Sequence, residues 1–462
     1  AGAAAPALHP FDALSLPLPV ELTLPLTRLF SRRAEAAVSD ADRAAVRALR
    51  PPKGEGRGGG GDSRIVVGYV SSLFQGRHPM THLLRGMLAA HDRERFELRL
   101  YAVNPPPDAA DEVAAAGYRD LQGIADAFVD ASGAPLRRLA ERIAADGVDV
   151  LVHLNGWSGA ALDEVFCLRP APVQVSYMGF PSSMGTARSI DYALADPVVA
   201  PAAAEFDEKV LHMPDGYSYF VNDHKQSARG VLARRRYERA GEGYALREEN
   251  AKLLNRERER AGLPRLGEGF VFGSFNQPHK LDPATFRLWL EVLDAVPGAV
   301  LWVLGGEEVR ANLVAAAGPD FDAARLVMAP FIAKEAHLER LALADAILDT
   351  PEYNSHTIGC DALWAGVPIV TLPQPKMASR VAASLITALG DGGFEAELVA
   401  ADARDYVAKA VRLGADAERY AALRGALEDA RLASKLFDTE GWTRRWERLI
   451  LRIVDEPVRE EW

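Results

Sequence analysis

The chain has 462 residues, 48% of them hydrophobic and 25% charged, and its 53 Lys and Arg against 64 Asp and Glu give a net charge of -11. That length points to two or three domains with a core large enough to need no staples, and the acidic balance speaks against nucleic acid as a main partner. Two cysteines, Cys167 and Cys360, are too few for a disulfide framework and fit a reducing, cytoplasmic setting, and no apolar run reaches the ~18 residues of a membrane span.

Residues 1–61 read as an approach segment. A Pro- and Leu-rich run, "HPFDALSLPLPVELTLPLTRLF", leads into "RAEAAVSDADRAAVRALR", which has helical periodicity, and then into a flexible Gly-rich linker, "PPKGEGRGGGG". From 62 to 222 the pattern changes. "RIVVGYV", "FELRLYAV", "VDVLVHL", "VQVSYMGF" and "IDYALAD" are short apolar runs, with helical stretches between the earlier ones. Such runs are the mark of strands buried on both faces of a parallel sheet. Residues 223–268 are densely charged and read as a mostly helical insertion, a hairpin of two helices. From 269 to 462 the alternation resumes through "FVFGSF", "AVLWVL", "RLVMAPF", "AILDT" and "PIVTL", and ends on the amphipathic "TEGWTRRWERLILRIV". The predicted fold is α/β, two Rossmann-like lobes with a ligand cleft between them, because ligands gather at the carboxyl ends of parallel strands.

The second α/β series holds the most informative chemistry. In "YNSHTIGCDALWAGVPIVTLP", from Tyr353 to Pro373, one strand precedes and another follows, so "IGCDALWAG" is predicted as a helix of about two turns. His356 and Thr357 then sit at its start, where unpaired N–H groups favour an anion such as pyrophosphate. Asp361, one turn on, is placed to accept from a ribose diol. The plainer alternative is a capping Thr357, a turn residue His356 and a surface Asp361. "FIAKEAHLERLALAD" sets Lys334, His337 and Arg340 three residues apart near a helix start. That stripe suits a base and a phosphate, or a solvated face paired with Glu335 and Glu339. In "SFNQPHKLDP", Gln277 and Lys280 project from a loop, and Asp282 is predicted to cap a helix beginning at Pro283. Three βα connections offering such groups to one sheet edge strengthen one another.

With "VGYVSS", "HPMTHL", "LNGWSGAALDEVFCLRPAPVQVSYMGFPSSMGT", "DYALAD", "VPGAVLWVL" and "ASRVAASLITALG", these stretches resemble the catalytic region of the O-linked N-acetylglucosamine transferase family, glycosyltransferase family 41, to which SPINDLY-type O-fucosyltransferases are related. The likeness runs from Arg64 to Ala433. It implies a GT-B fold and an inverting, metal-independent transfer of N-acetylglucosamine (GlcNAc) from UDP-GlcNAc to Ser or Thr of protein or peptide acceptors. It implies no cofactor beyond that donor substrate, while the acidic balance and the absence of a long apolar run speak against nucleic-acid and membrane partners. By the same resemblance, Gln277 and Lys280 meet the diphosphate, Lys334, His337 and Arg340 surround uracil and ribose, His356 and Thr357 form the phosphate loop, and Asp361 takes the ribose. In the first lobe, His78 is implied as a cleft histidine, either base or donor, and Glu141 as a base or proton relay. Met178, Gly179 and Pro181 are implied along the sugar site. Lys280, His78 and Glu141 are thus the catalytic candidates, while His153 reads as a buried strand-end residue.

The departures bear on function. Ile358 stands where the family often has a second Thr, and Tyr353 stands near the acetamido pocket where the animal enzymes have a small residue. The tetratricopeptide repeats that recruit substrates in the family are not in this sequence and are expected, if present, ahead of Ala1 in a longer natural chain. Two Asp-x-Asp patterns, Asp40 with Asp42 and Asp320 with Asp322, lie away from the motifs and read as incidental. A GDP-fucose donor, or a binding module without turnover, stays open, although His356 favours UDP-GlcNAc because SPINDLY-type loops tend to carry Thr or Gly there.

Overall fold

The computed structural model describes residues 8–52, 64–76, 78–160, 162–202, 205–228, 236–241 and 243–455. They fall into two units: the first within 1–14, 18–223 and 439–462, the second within 15–17 and 224–438. The expected Gly-rich linker lies, from residue 53 on, outside the described residues.

The first unit is built on seven parallel strands: β1 (Ile65–Ser71), β2 (Phe96–Ala102), β3 (Ala127–Asp130), β4 (Val150–His153), β5 (Val173–Ser176), β6 (Tyr192–Ala195) and β7 (Lys209–His212). Their order is β3-β2-β1-β4-β5-β6-β7, with Val67 of β1 opposite both Leu98 of β2 and Val150 of β4. Each apolar run noted in this half forms a strand. The sequence reading missed β3 and β7, the two edge strands; only Leu211 of their residues is buried. Each of these two strands has a neighbour on one side only and leaves most of its residues at least partly exposed, so its sequence carries no continuous apolar run.

Two terminal segments join this unit. In the helix Thr23–Ala36, the Ser31 hydroxyl donates to the Met184 carbonyl at 2.5 Å and Arg28 pairs with Asp207 at 2.6 Å. The last helix, Thr439–Asp455, which the sequence order places with the C-terminal half, packs in this unit. Its Trp446 indole donates to the Tyr69 hydroxyl at 2.9 Å, and Glu447 accepts from the His91 ring (3.1 Å) and the Asp92 amide (2.7 Å). An amphipathic helix shows which face it buries but not against which sheet, which is why position in the chain misled.

The charged insertion is only partly helical. It holds a short helix, His224–Ser227, a hairpin of β8 (Tyr237–Ala240) and β9 (Gly243–Leu246), and the helix Glu248–Arg260. The turn is made around Gly241, at φ +60, a conformation glycine adopts without strain. Tyr244 of β9 covers Gly425, where an added Cβ would lie 2.0 Å from the ring, and donates to Asp429 at 2.5 Å. The surrounding charges hid the two tyrosines, Tyr237 and Tyr244, one in each strand of the hairpin.

The second unit carries β10 (Val271–Ser274), β11 (Val300–Leu304), β12 (Leu326–Ala329), β13 (Ala346–Leu348) and β14 (Ile369–Val370), all parallel, in the order β12-β11-β10-β13-β14. Asp282 caps the helix Pro283–Ala295 as expected, accepting from the Ala284 (2.8 Å) and Thr285 (3.0 Å) amides. Winding reverses between β1 and β4 in one unit and between β10 and β13 in the other. At such points adjacent connections leave the sheet on opposite faces and open a crevice at the carboxyl ends. Among the described residues no helix is long and apolar enough to cross a membrane.

Candidate functional site

At the reversal point of the second unit, the loop after β13 is fixed by one buried carboxylate. Asp349 accepts from the amides of Thr350 (2.9 Å) and Ser355 (2.7 Å), the Thr371 hydroxyl (2.7 Å) and the Asn276 amide (3.3 Å). Burial pushes its pKa up, against those hydrogen bonds. Asn276, from the loop after β10, also donates to Thr350 Oγ1 (2.8 Å) and accepts from Ser355 (3.2 Å), joining the two loops. Asn354 donates to the Thr350 carbonyl at 2.9 Å, and its own amide donates to Ala378 O at 2.9 Å. The "ASRVAASLITALG" stretch thus buttresses the loop through Ala378.

Lys280 leans into this frame from the turn Pro278–Lys280. Its Nζ donates to the Asn354 carbonyl at 3.0 Å and lies 3.6 Å from the centre of the Tyr353 ring. Burial of the ammonium lowers its pKa to about 7, although Asp349 favours the charge. Asn354 is two residues from His356, so Lys280 and the start of the helix Thr357–Trp364 share one sheet edge. No side chain caps that helix. The buried His356 ring, 5.1 Å from Tyr353, donates to the Ala378 carbonyl at 3.4 Å, and burial together with nearby Lys280 keeps it neutral. Gln277 is exposed at the head of the same turn.

A second cluster lies one turn into that helix. Asp361 is fully buried, not the surface charge of the plainer reading. Lys334 Nζ reaches its Oδ1 at 2.5 Å and Oδ2 at 2.6 Å, and His224 Nε2 donates to Oδ1 at 2.6 Å. Burial opposes the negative charge, but Lys334 and then His224 outweigh it and hold Asp361 well below the usual carboxylate range. His337 Nδ1 accepts from Arg340 Nε at 3.0 Å, so its proton sits on Nε2, which has no hydrogen-bond partner and lies 3.9 Å from Asp361 Oδ2. Burial lowers the His337 pKa to about 4 and that of Arg340 to about 10. Arg340 also donates to the Pro330 carbonyl and stacks 5.2 Å over Phe275. The structure therefore brings Lys334, His337, Arg340 and Asp361 together, and Lys280, Tyr353, His356 and Thr357 beside them.

The corresponding edge of the first unit is built differently. Asn155, after β4, accepts from Ser71 Oγ and the Ser72 amide (both 3.0 Å) and donates to Ser72 Oγ at 2.7 Å, bridging β4 to β1 as Asn276 bridges β10 to β13. His78 caps the helix Pro79–Ala90: its Nδ1 accepts from the Met80 amide at 3.2 Å. That leaves the proton on Nε2, and burial, then His82, lower its pKa to about 4. His78 is thereby arranged to donate rather than to take a proton. After β5, Met178 adopts φ +71, and a Cβ on Gly179 would lie 2.1 Å from the Leu154 carbonyl, so this segment, with buried Pro181, is wedged against the end of β4. Glu141 does not join these residues. It sits on the helix Leu136–Ala145, in ion pairs with Arg137 (3.1 Å) and Arg138 (2.8 Å) that lower its pKa. His153 is fully buried, stacked on Phe166 at 4.1 Å.

Sequence reasoning missed Asn276, Asp349, Asn354 and His224. The first three lie within four residues of ones it chose, and an Asp closing an apolar strand, as in "AILDT", was a usable signal. His224 lies far away in the charged insertion, where no local pattern marks it.

A family model described as Glycosyl transferase family 41 matches residues 5–256 and 243–446. A protein of Arabidopsis thaliana named probable UDP-N-acetylglucosamine–peptide N-acetylglucosaminyltransferase SEC is 36% identical, over 97% of this chain and 43% of its own length. The UDP-N-acetylglucosamine–peptide N-acetylglucosaminyltransferase of Caenorhabditis elegans is 32% identical, over 84% of this chain and 40% of its own. The chain thus spans less than half the length of these relatives. Among solved structures, a mutant O-GlcNAc transferase of Thermobaculum terrenum superposes with a TM-score of 0.75 at 24% identity, covering 96% of this chain and 76% of that one.

Proposed function

The chain belongs to glycosyl transferase family 41 and has the paired Rossmann-like units of the GT-B fold, and from that premise we propose that it moves GlcNAc from UDP-GlcNAc to Ser or Thr hydroxyls of proteins, with inversion and without a metal. The acceptor oxygen attacks the anomeric carbon as the bond to the diphosphate breaks, its hydroxyl proton passing to a leaving phosphate oxygen or to water, and negative charge grows on the leaving phosphate oxygens. The observation that carries the reading is Lys280, its ammonium 3.0 Å from Asn354 O at the edge where the helix Thr357–Trp364 begins. A preorganised cation and uncapped helix amides act most strongly where charge develops. A lysine whose pKa has fallen to about 7 gains both a proton and a partner when a diphosphate arrives. His78, through Nε2–H, serves as a donor to sugar or acceptor. Lys334, His337 and Asp361 address ribose and base. The names of the two relatives support a UDP-GlcNAc donor and a peptide acceptor.

The test is a melting shift with UDP and with GDP, followed by intact-mass detection of a transferred sugar on acceptor proteins. UDP alone is expected to raise the melting temperature, UDP-GlcNAc to add one N-acetylhexosamine per site with or without a chelator, and Lys280→Ala to abolish transfer. Stabilisation by GDP alone, with transfer of fucose, overturns the donor assignment. Binding without transfer overturns the enzymatic reading.

A further inference from the structure

Three donors surround Asp361, and they differ in mobility. Lys334 spans both carboxylate oxygens, yet its side chain is 24% exposed. His224, 5% exposed, touches only Oδ1 and is clamped by aromatic rings, Phe437 edge-on at 5.9 Å and Trp364 at 6.1 Å. The Trp364 indole in turn donates to the Ala228 carbonyl at 2.9 Å, fixing the segment that carries His224. The third donor, His337 Nε2–H, is nine-tenths buried and has no partner. Its 3.9 Å from Oδ2 is too long for a hydrogen bond. It is short enough for one hydroxyl to accept from His337 while donating to Asp361.

We propose that His224 is the positioning residue of this site: its Nε2–H pins Oδ1 of Asp361, so that Oδ2 faces His337 and receives a vicinal diol when Lys334 swings away to the ligand. This deepens, and rests on, the reading of the second unit as a UDP-sugar site. Lys334 is the exchangeable occupant of the carboxylate and His224 the permanent one. A buried carboxylate left with no donor pays the full desolvation penalty; His224 meets that need while Lys334 is away. The consequence is a preference for nucleotides with free 2′- and 3′-hydroxyls, set by a residue that touches neither.

The experiment is calorimetric titration of the whole chain with UDP and with 2′,3′-dideoxy-UDP. Wild type is expected to prefer UDP by about tenfold or more, as for hydrogen bonds to a charged group. His224→Phe, which keeps an aromatic ring against Trp364 and Phe437, is expected to weaken UDP by about tenfold while changing dideoxy-UDP less than about twofold. His224→Gln, whose amide reaches Oδ1, is expected to recover most of the preference. Equal weakening of both nucleotides, as general loosening gives, or a preference that survives in His224→Phe, overturns the proposal. Wild type that binds neither nucleotide overturns the underlying reading and this inference with it. If His224→Phe shows no folding transition, His224→Asn, whose shorter amide falls short of Oδ1, takes its place against His224→Gln with the same two outcomes.

Discussion

Replacing Lys280 by Met is expected to slow transfer severely and, at the same time, to make the protein harder to unfold. Burial lowers the Lys280 pKa from 10.5 to about 7. Between those values the unfolded chain holds more protons than the folded one, so this residue makes stability rise with pH across that window. At about 1.36 kcal/mol per factor of ten in acidity, the folded state gives up on the order of 4 kcal/mol at pH 7 to hold a lysine there. Met removes that penalty but also the hydrogen bond to Asn354 and the contact with the Tyr353 ring, each worth about 1 kcal/mol. The net gain is therefore about 2 kcal/mol, or roughly 5 °C for a unit of this size. It is expected to vanish by about pH 9.5, where the lysine of the folded state is neutral and that of the unfolded state is losing its excess. Against this, kcat is expected to fall by about 10²–10³. Denaturant unfolding at the two pH values and a transfer assay on the same preparations check both halves. A variant less stable than wild type at pH 7, or one keeping more than a tenth of the activity, refutes the placing of a desolvated ammonium at the leaving group.

Lys334→Met leaves buried Asp361 with His224 alone, and urea unfolding is expected to show a loss of about 3 kcal/mol, as for other broken buried pairs. Because the Asp361 pKa is held below its ordinary value, its contribution is present above the usual carboxylate range and is lost as pH falls through the folded value. Acid unfolding of Lys334→Met is thus expected to begin at a higher pH than that of wild type. Tyr353→Phe keeps the ring under Lys280 and is expected to retain activity, whereas Tyr353→Ala is expected to lose about tenfold in kcat, in line with a partly desolvated cation–π contact; equal losses would refute the ring's role. His78→Ser preserves a helix cap, so stability is expected to stay within about 1 kcal/mol of wild type while kcat falls at least about tenfold. With the His78 pKa near 4, the wild-type pH–rate curve is expected to carry no His78 limb between pH 6 and 8. A limb there that His78→Ser removes would make His78 the base. Glu141→Gln is expected to leave activity unchanged, since its charge is spent on Arg137 and Arg138.

What could be read in advance followed from burial. Interior strands covered by helices on both faces are largely apolar, so β1, β2, β4–β6, β10, β11 and β13 were plain in the sequence; β3 and β7 at the edges of the first sheet were not, whereas the edge strands β12 and β14 of the second sheet still carry apolar runs. Residues of the site that sit on helix starts, such as Thr357 and Lys334, carry a local pattern of spacing and caps. Asp349 and Asn276 were within a few residues of positions chosen for their chemistry, yet their partners are 73 positions apart, a relation no local window contains. His224 meets Asp361 across 137 positions. The hairpin β8–β9 was concealed by charges on its exposed face, and the last helix by its place in the chain.

The helix Thr439–Asp455 also determines the order in which the chain is finished. Strands β1 to β7 leave the ribosome before residues 224–438, but the indole of Trp446 and the carboxylate of Glu447 that complete the surroundings of Tyr69 and His91 leave it after them. Residues 224–438 are translated in between, taking on the order of 10–40 s at ordinary elongation rates, and they hold nearly all of the second unit. The unit begun first is therefore completed second, and its nascent sheet waits through that interval with an aromatic seat uncovered. A premature stop at the boundary, just after residue 438, spares the contiguous unit and undoes the one synthesised before it.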